Sequence, residues 1–342
     1  MRLSILVVSR TAALLNRLCD SLNAACCLAP LDVEILCSWN GSDAEEAQIH
    51  NSSRYEFLIA QRTPYHFAGN MNGLAERANG DVLLLINDDV VLDPGSVDAG
   101  LQCLKQNAQI GLVGSRLRNQ DGQLIHAGIL FDSRHSPYHQ LDRLTGSEHA
   151  AVLGDNRPMP AVTGALVLIS RQHFQALRFN TDYIVCGEDV ELCLDVRERL
   201  GLEVWYCPQF SGLHESESTR SQQPNQGGNS EDLSRMRARH RAFLEAASRP
   251  QLRQELQASI AEAEALRSFE AHRNQEGAAV SATLANLRKL EGLLAEQLAN
   301  DPLLQQEIKH WQLQAHSLQL ERLKLQQQLQ QQLQLQQQGA HQ

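Results

Sequence analysis

The stretch from Gly80 to Asp93, GDVLLLINDDVVLD, constrains the fold of this chain more than any other. Its apolar run, 82–86, has the length and residue types of a strand that is buried on both faces. The run ends abruptly in Asn87, Asp88 and Asp89, of which two carry carboxylates. Ligands of open α/β sheets bind at the carboxyl ends of strands, and adjacent carboxylates repel each other unless a cation offsets the repulsion. Two interpretations stay open at this point, a solvated turn and a cation site.

The residues before this stretch alternate between strand and helix patterns. Strands are predicted at 3–8, 33–37 and 55–60, and helices at 11–22 and 67–78. This alternation predicts parallel strands with right-handed crossovers, as in a nucleotide-binding half-sheet. Because the chain contains neither G-x-G-x-x-G after its first strand nor G-x-x-x-x-G-K-[ST], no glycine loop is expected to cradle phosphate. Asp88 and Asp89 with a divalent metal are the available alternative.

The middle of the chain continues the α/β pattern. A helix is predicted at 94–106, and strands are predicted at 111–115, 124–131, 162–169 and 203–207. The long polar segment 133–160 interrupts this series and contains His135, His139 and Arg143. A segment of that length without regular structure usually carries function or closes over a site.

Composition limits the class of protein. Of 342 residues, 42% are hydrophobic and 20% are charged, which is typical of a soluble globular chain. The net charge of -10 argues against a general nucleic-acid binder. Eight cysteines without a C-x-x-C pair predict reduced thiols in a cytoplasmic protein rather than a zinc ribbon. No apolar run approaches the roughly 20 residues of a membrane span.

A second acidic pair and one histidine are candidate functional residues. Glu188 and Asp189 begin a predicted helix, where acids interact favourably with the helix dipole but could equally act in catalysis. His214 follows the last predicted strand closely. A single histidine is more often a surface residue than a ligand, so its position alone makes it a candidate.

The composition changes beyond residue 220. Residues 221–232 are rich in Ser, Gln, Gly and Asn and are predicted to form a flexible loop, and 233–342 are predicted to be helical and partly coiled coil. The arginines at 235, 237, 239 and 241 favour a helix that packs on its own domain, with an anionic membrane surface as the alternative. The coiled-coil pattern comprises Leu304, Ile308, Trp311, Ala315, Leu318, Leu325 and Leu329. It suits either a helical hairpin or an oligomerisation arm.

The order of these motifs resembles the family 2 glycosyltransferases with the GT-A fold, above all the rhamnosyltransferase-like group of polysaccharide biosynthesis. The segments that carry the resemblance are Ser9-Arg10, Trp39-Asn40-Gly41-Ser42, Asn72, Asn87-Asp88-Asp89, Val162-Thr163-Gly164-Ala165, Gly187 to Leu194 and His214-Glu215-Ser216. The resemblance covers about residues 1–220. It implies a GT-A type, mixed but mainly parallel α/β sheet flanked by helices, followed by an all-helical C-terminal tail.

The resemblance also implies a metal-dependent inverting glycosyltransferase. Asp89 and His214 would bind Mn²⁺ or Mg²⁺, and Asp189 would be the general base with Glu188 beside it. The residues that would contact the donor are Ser9, Arg10, Trp39, Asn72, Asn87, Asp88, Thr163, Gly164 and Ala165. The family often has Asp where this chain has Trp39, which leaves the nucleotide open.

The implied partners are a nucleotide-sugar donor and a glycan, lipid-linked or protein acceptor, without nucleic acid. Peripheral contact with the inner face of a membrane and homo-oligomerisation through the C-terminal helices are further alternatives. Two other functions compete with glycosyl transfer. A nucleotidyltransferase would usually carry a glycine-rich signature near its first strand, which is absent here. The intact acidic pairs argue against a degenerate domain that acts as a scaffold through the coiled-coil tail.

Overall fold

The first strand, β1 (Leu3–Ser9), is buried along its whole length. Its residues Ile5 and Val7 belong to one apolar cluster, and Leu6 and Val8 belong to another. Because successive side chains of a strand point to opposite faces, the sheet has an apolar core on each side. The computed structural model describes residues 2–132, 134–141, 154–215, 228–268, 286–290, 292, 311, 313, 314, 317 and 318.

The first part of the chain builds a parallel half-sheet. The elements after β1 are α1 (Ala12–Ala25), β2 (Val33–Trp39), α2 (Asp43–Glu46), β3 (Glu56–Gln61), α3 (Phe67–Arg77), β4 (Val82–Asn87), β5 (Val90–Leu92) and α4 (Ser96–Gln106). Strand β1 pairs in parallel with β2 and β4, and β2 pairs in parallel with β3. The predicted alternation of strands and helices is therefore confirmed.

The second part extends the sheet and adds helices. Its elements are β6 (Ile110–Arg118), β7 (Leu124–His126), β8 (Ile129–Phe131), β9 (Pro137–His139), β10 (Arg157–Pro158), β11 (Leu166–Ser170), α5 (Arg171–Leu177), α6 (Glu188–Arg199), β12 (Glu203–His214), α7 (Gly228–Glu245) and α8 (Arg249–Ser268). In the described residues the strand order is β10-β12-β6-β11-β4-β1-β2-β3, with β5 beside β12 and β7 beside β6. Strand β11 runs antiparallel between β4 and β6. The predicted class, a mixed α/β sheet flanked by helices, is confirmed.

Several predicted strands have different limits in the structure. The segment 124–131 is two strands, because Gly128 adopts a φ of 115° between them. The strand predicted from residue 162 begins only at Leu166, after a turn. Strand β12 continues to His214, with an irregular register between Tyr206 and Ser211. The last two differences both place backbone at the end of β4, where the acidic pair lies.

The C-terminal helices that the structure describes pack on the sheet. Met236 and Leu244 of α7 and Ala258 of α8 belong to the same apolar cluster as Leu85 of β4. Helix α7 begins at Gly228, so the second half of the predicted loop 221–232 is helical. Residues 221–227 and most of the coiled-coil pattern lie outside the described residues. The division of the chain at residue 220 stays a prediction.

The arginines of α7 make contacts within the chain. Their partners are the carbonyl of Asp182 for Arg235, the hydroxyl of Ser136 for Arg237, the carboxylate of Glu191 for Arg239 and that of Glu245 for Arg241. Such contacts are those expected of a helix packed on its own domain. Among the helices described here, none has both the length and the apolar character that a membrane crossing requires.

A buried carboxylate fixes the turn that leads into β4. Glu34 Oε1 accepts hydrogen bonds from the Ser4 hydroxyl and the Asn79 N–H, both at 2.6 Å, and Oε2 accepts one from the Asn79 amide at 3.1 Å. Ser4 Oγ in turn accepts a hydrogen bond from the N–H of Gly80 at 2.8 Å. Burial raises the pKa of Glu34, but the hydrogen bonds from Ser4 and Asn79 outweigh it and leave that pKa below its ordinary value.

We predict that Glu34→Gln lowers the free energy of unfolding at pH 7 by about 1.5–3 kcal/mol, the usual contribution of hydrogen bonds to a charged group. A carboxyl group whose pKa is lower in the folded state stabilises the fold above its unfolded pKa and loses that effect as the pH falls through its folded pKa. The difference between the two proteins should therefore shrink below about pH 4. Urea denaturation over this pH range measures it.

The matched control is Glu56→Gln, because Glu56 is the exposed register partner of Glu34 on β3. This control should unfold like the wild type at every pH. Equal denaturation midpoints for wild type and Glu34→Gln at pH 7 would contradict the assigned role of Glu34.

Candidate active site

The carboxylates after β4 lie at the predicted end of the sheet. Asp88 Oδ2 accepts a hydrogen bond from the Ser9 hydroxyl at the end of β1, at 2.7 Å. Burial raises the pKa of Asp88 to about 6, and repulsion from Asp89 adds to the rise, while Ser9 and the charge of Arg10 oppose it. In the protein alone, burial and the charge of Asp89 therefore disfavour the ionised form of Asp88. A nearby cation would favour that form.

The second carboxylate of the pair meets the last residue of β12. His214 is the register partner of Val90, and its Nε2 lies 3.1 Å from Asp89 Oδ1. The N–H of Glu215 donates to the backbone carbonyl of Asp89 at 3.2 Å. The side chains of Asp89 and His214 are only 7% and 16% exposed. The structure thus brings together two residues that the sequence separates widely.

Asp189 lies in the first turn of α6, and its carboxylate is fixed by two backbone groups. Its Oδ2 accepts a hydrogen bond from the N–H of Gly164, and its Oδ1 accepts one from the N–H of Val190, both at 2.8 Å. The carbonyl of the next residue, Ala165, accepts a hydrogen bond from the N–H of Asn87 at 2.9 Å. Asp189 is therefore tied through one short turn to the end of β4, beside the acidic pair.

A pair of histidines contacts the same turn, at Thr163. His126 Nε2 accepts a hydrogen bond from the N–H of Thr163 at 3.2 Å, and His126 Nδ1 lies 3.0 Å from Nδ1 of His139. Burial lowers the pKa of His126 well below its ordinary value, and repulsion from His139 and His214 lowers it further. His126 is therefore neutral. Because its Nε2 accepts, its proton resides on Nδ1 and is donated to His139.

The side chains of two residues of the predicted donor set contact other parts of the protein. The side-chain amide of Asn72 donates to the carbonyl of Phe179 and accepts from its N–H, at 2.8 and 2.9 Å. Asn72 thereby joins α3 to the segment after α5. Trp39 is 2% exposed and packs in the apolar cluster on the α1 side of the sheet. A nucleobase could stack on its indole ring only after that ring moved.

Most of the remaining predicted residues have defined surroundings, and one lies outside the described residues. Glu188 is half-buried in the first turn of α6, and Arg10 is exposed beside β1. In the polar segment, His139 contacts His126, His135 lies 3.0 Å from the amine of Lys289, and Arg143 is not among the described residues.

The donor set formed by Asp89 and His214 fits a divalent cation. Adjacent ligands of an octahedral ion with bonds of about 2.1 Å lie about 3 Å apart, which matches the contact between Asp89 Oδ1 and His214 Nε2. A carboxylate oxygen and an imidazole nitrogen are both common ligands of divalent metal ions in proteins.

A second group of ligand-type side chains occurs between α6 and α7. One atom each of Asp195, Glu198 and His240 lies within 4.8 Å of the others. Asp195 is paired with Arg199 at 3.1 Å, and His240 Nδ1 lies 2.9 Å from Glu198. Asp195 is thus paired within α6, and the contact of His240 with Glu198 joins α7 to α6.

Comparison with known proteins decides the family. A family model described as "Glycosyltransferase like family 2" matches residues 2–241. The chain belongs to this glycosyltransferase family. The resemblance inferred from the order of the motifs is thereby confirmed, and the matched region of the glycosyltransferase domain includes most of α7.

Individual relatives match smaller parts of the chain. The O-antigen biosynthesis protein RfbC of Myxococcus xanthus is 31% identical over 162 residues, which are 46% of this chain and 12% of that protein. The uncharacterized protein y4gI of Sinorhizobium fredii is 28% identical over 199 residues, which are 57% of this chain and 21% of that protein. This chain therefore matches less than a quarter of the length of either relative.

The structure is also similar to that of a solved glycosyltransferase. The mannosyltransferase PcManGT from Pyrobaculum calidifontis, in complex with GDP-Man and Mn²⁺, superposes with a TM-score of 0.48 and 15% sequence identity. The match covers 93% of this chain and 84% of the mannosyltransferase.

We predict that Gly164→Ala displaces the carboxylate of Asp189. A Cβ atom at residue 164 would lie 2.9 Å from the Cβ of Asp189, closer than packed side chains approach. Overpacking of this kind costs about 1–3 kcal/mol of stability. A crystal structure of the variant should show the hydrogen bond between residue 164 and Asp189 broken, and thermal unfolding should show the lower stability.

The control is Gly292→Ala, since a Cβ at this helical glycine would meet nothing within 4 Å. It should leave stability unchanged or raise it slightly. A Gly164→Ala structure with Asp189 still bonded to the backbone of residue 164 would refute the proposed fit.

Proposed function

We propose that this protein is a metal-dependent inverting glycosyltransferase. It moves a sugar from a nucleotide-sugar donor to a hydroxyl of a glycan, lipid-linked or protein acceptor. The observation that carries the proposal is the contact of Asp89 with His214 at the end of β4, joined by two backbone hydrogen bonds to the carboxylate of Asp189. A metal-type donor pair and a carboxylate suited to proton transfer thus share one end of the sheet.

The donor side is assigned to the residues around β4. Asp89 and His214 would hold Mn²⁺ or Mg²⁺, and such an ion, when bound, offsets the charge that develops on a departing nucleoside diphosphate. Asn87 and Asp88 lie next to these ligands in the chain and would orient the donor, with Ser9 and Arg10 beside them. Thr163, Gly164 and Ala165 would line the sugar pocket.

The acceptor side is assigned to α6. Asp189 takes the proton of the acceptor hydroxyl while that oxygen attacks the anomeric carbon from the face opposite the leaving group, which inverts the configuration. Each carboxylate oxygen has two lone pairs, so the two backbone N–H bonds orient Asp189 and leave lone pairs for the acceptor. A general base contributes typically about 10²–10⁴-fold to the rate. Glu188 lies beside it in the same helical turn.

Trp39 supports the donor site in this proposal. A Cβ atom at Gly41 would lie 2.4 Å from both the indole ring of Trp39 and the carbonyl oxygen of Arg10. The buried ring therefore packs beneath the 39–42 turn and sets its distance from β1. Asn72 does not contact the donor in this proposal. It holds the backbone of Phe179, in the segment that leads to α6.

We predict different losses for the metal ligands and for the base. Asp89→Ala and His214→Ala should abolish Mn²⁺-dependent binding of nucleoside diphosphate, because each removes one of two ligands. Asp189→Asn should keep that binding and lower turnover by about 10²–10⁴-fold, since the amide cannot accept the proton. Titration calorimetry with Mn²⁺ and nucleoside diphosphates, and release of nucleoside diphosphate from a panel of nucleotide-sugars, measure the two effects.

The control is Glu76→Gln, which removes a carboxylate from an exposed ion pair with Arg178 and should behave like the wild type. Full turnover in Asp189→Asn would show that another group is the base. Release of pyrophosphate would indicate a nucleotidyltransferase instead. A wild-type protein without metal-dependent nucleotide binding would indicate the scaffold.

A further inference from the structure

A buried carboxylate of α7 binds the loop that precedes the proposed base. Asp232 is 3% exposed, and its Oδ2 accepts hydrogen bonds from three consecutive backbone N–H groups. These belong to Ile184, Val185 and Cys186, at 3.1, 2.8 and 3.2 Å. Successive N–H groups that converge on one oxygen form an anion-binding concavity.

These bonds hold a stretch of the loop whose side chains are exposed or only partly buried. The side chain of Ile184 is 80% exposed, and those of Val185 and Cys186 are only half-buried. A buried carboxylate without partners would be costly, so Asp232 and the three N–H groups depend on one another. Hydrogen bonds to an ionised acceptor are about twice as strong as neutral ones.

The loop leads directly into the helix that carries Asp189. Gly187 follows Cys186 with a φ of 104° and precedes the first residue of α6. One residue thus separates the loop from α6, so a shift of 184–186 would displace the start of the helix. Asp189 lies in that turn, bonded to Gly164.

Helix α7 contacts the same segment at two further points. The guanidinium of Arg235 donates to the carbonyl of Asp182, and Arg239 lies 3.0 Å from Glu191 Oε1. Glu191 is 2% exposed and also accepts hydrogen bonds from the amide of Asn180 and the hydroxyl of Tyr183. One face of α7 therefore holds the chain before and after Gly187.

We propose that Asp232 is a positioning residue for glycosyl transfer. By holding the N–H groups of 184–186, it sets the orientation of Asp189 relative to the contact between Asp89 and His214. This inference rests on the proposed function. Helix α7 follows the strand that carries His214. In this inference α7 positions the acceptor side of the site.

The test compares Asp232→Ala and Asp232→Asn with Arg241→Ala, whose exposed ion pair with Glu245 lies on the same helix. Asp232→Ala should lower kcat by about 10–10²-fold, the loss typical of a misplaced catalytic group. The Kd for Mn²⁺ with nucleoside diphosphate should stay within about twofold of the wild-type value, since that site lies on β4 and β12. Asp232→Asn keeps an accepting oxygen and should recover part of kcat. Arg241→Ala should match the wild type.

A kcat of Asp232→Ala equal to that of an active wild type would overturn the inference and leave the proposed function intact. A loss of kcat together with an equal loss of metal-nucleotide binding would also overturn the inference, because that pattern indicates a general loss of structure. If the alanine variant does not fold, Asp232→Glu is the test, because glutamate keeps the carboxylate but places it one methylene further from the backbone. It should fold and lose kcat, and wild-type kcat would overturn the inference. Absence of transfer by the wild type would contradict the proposed function itself.

Discussion

The contact between Asp89 and His214 joins the two halves of the sheet at the place where the chemistry is proposed. It exists because the last residues of β12 pair with β6 on one edge and with β5, the short strand directly after the acidic pair, on the other. A shorter β12 would leave the imidazole far from the carboxylate. The register between β12 and β6 is irregular between Tyr206 and Ser211, and the two strands pair again from Ser211 to Leu213.

The buried core explains why polar groups at this edge are held so firmly. Strand β4 is apolar on both faces and lies between β1 and the antiparallel β11. Its end therefore has fixed neighbours, Ser9 from β1 and the turn at Thr163–Ala165 before β11. The carboxylates are oriented by hydroxyl and backbone groups from these neighbours rather than by long flexible side chains. Orientation of this kind is what in-line displacement requires.

Much of the parallel half-sheet could be predicted from the sequence, because unbroken apolar runs such as Leu83–Ile86 are typical of strands buried on both faces. The antiparallel insertion of β11 and the full length of β12 could not. The end of β12, Ser211 to His214, has Leu213 as its one large apolar residue, and pairing with β5 and β6 makes it a strand. Pairing between distant segments leaves no local pattern in the chain.

The candidate site could likewise be predicted only in part. Asp89, Asp189 and His214 carry a recognisable motif order, and the structure brings them to one edge of the sheet. His126 and Asp232 have no such signal, since each is a single polar residue whose partners are backbone N–H groups of distant segments. The motif order predicts a donor contact for Asn72, whereas both polar groups of its side chain bind Phe179. Hydrogen bonds of this kind, between segments far apart in the chain, depend on the tertiary structure.

The most direct test of the proposed site is anomalous diffraction at the manganese edge from crystals of the full chain grown with Mn²⁺ and a nucleoside diphosphate. We expect an anomalous peak within bonding distance of both Asp89 Oδ1 and His214 Nε2, with the diphosphate beside it and Asp189 facing the same crevice. A peak at Asp195, Glu198 and His240 instead, or nucleotide bound without metal at Asp89, would contradict the central claim.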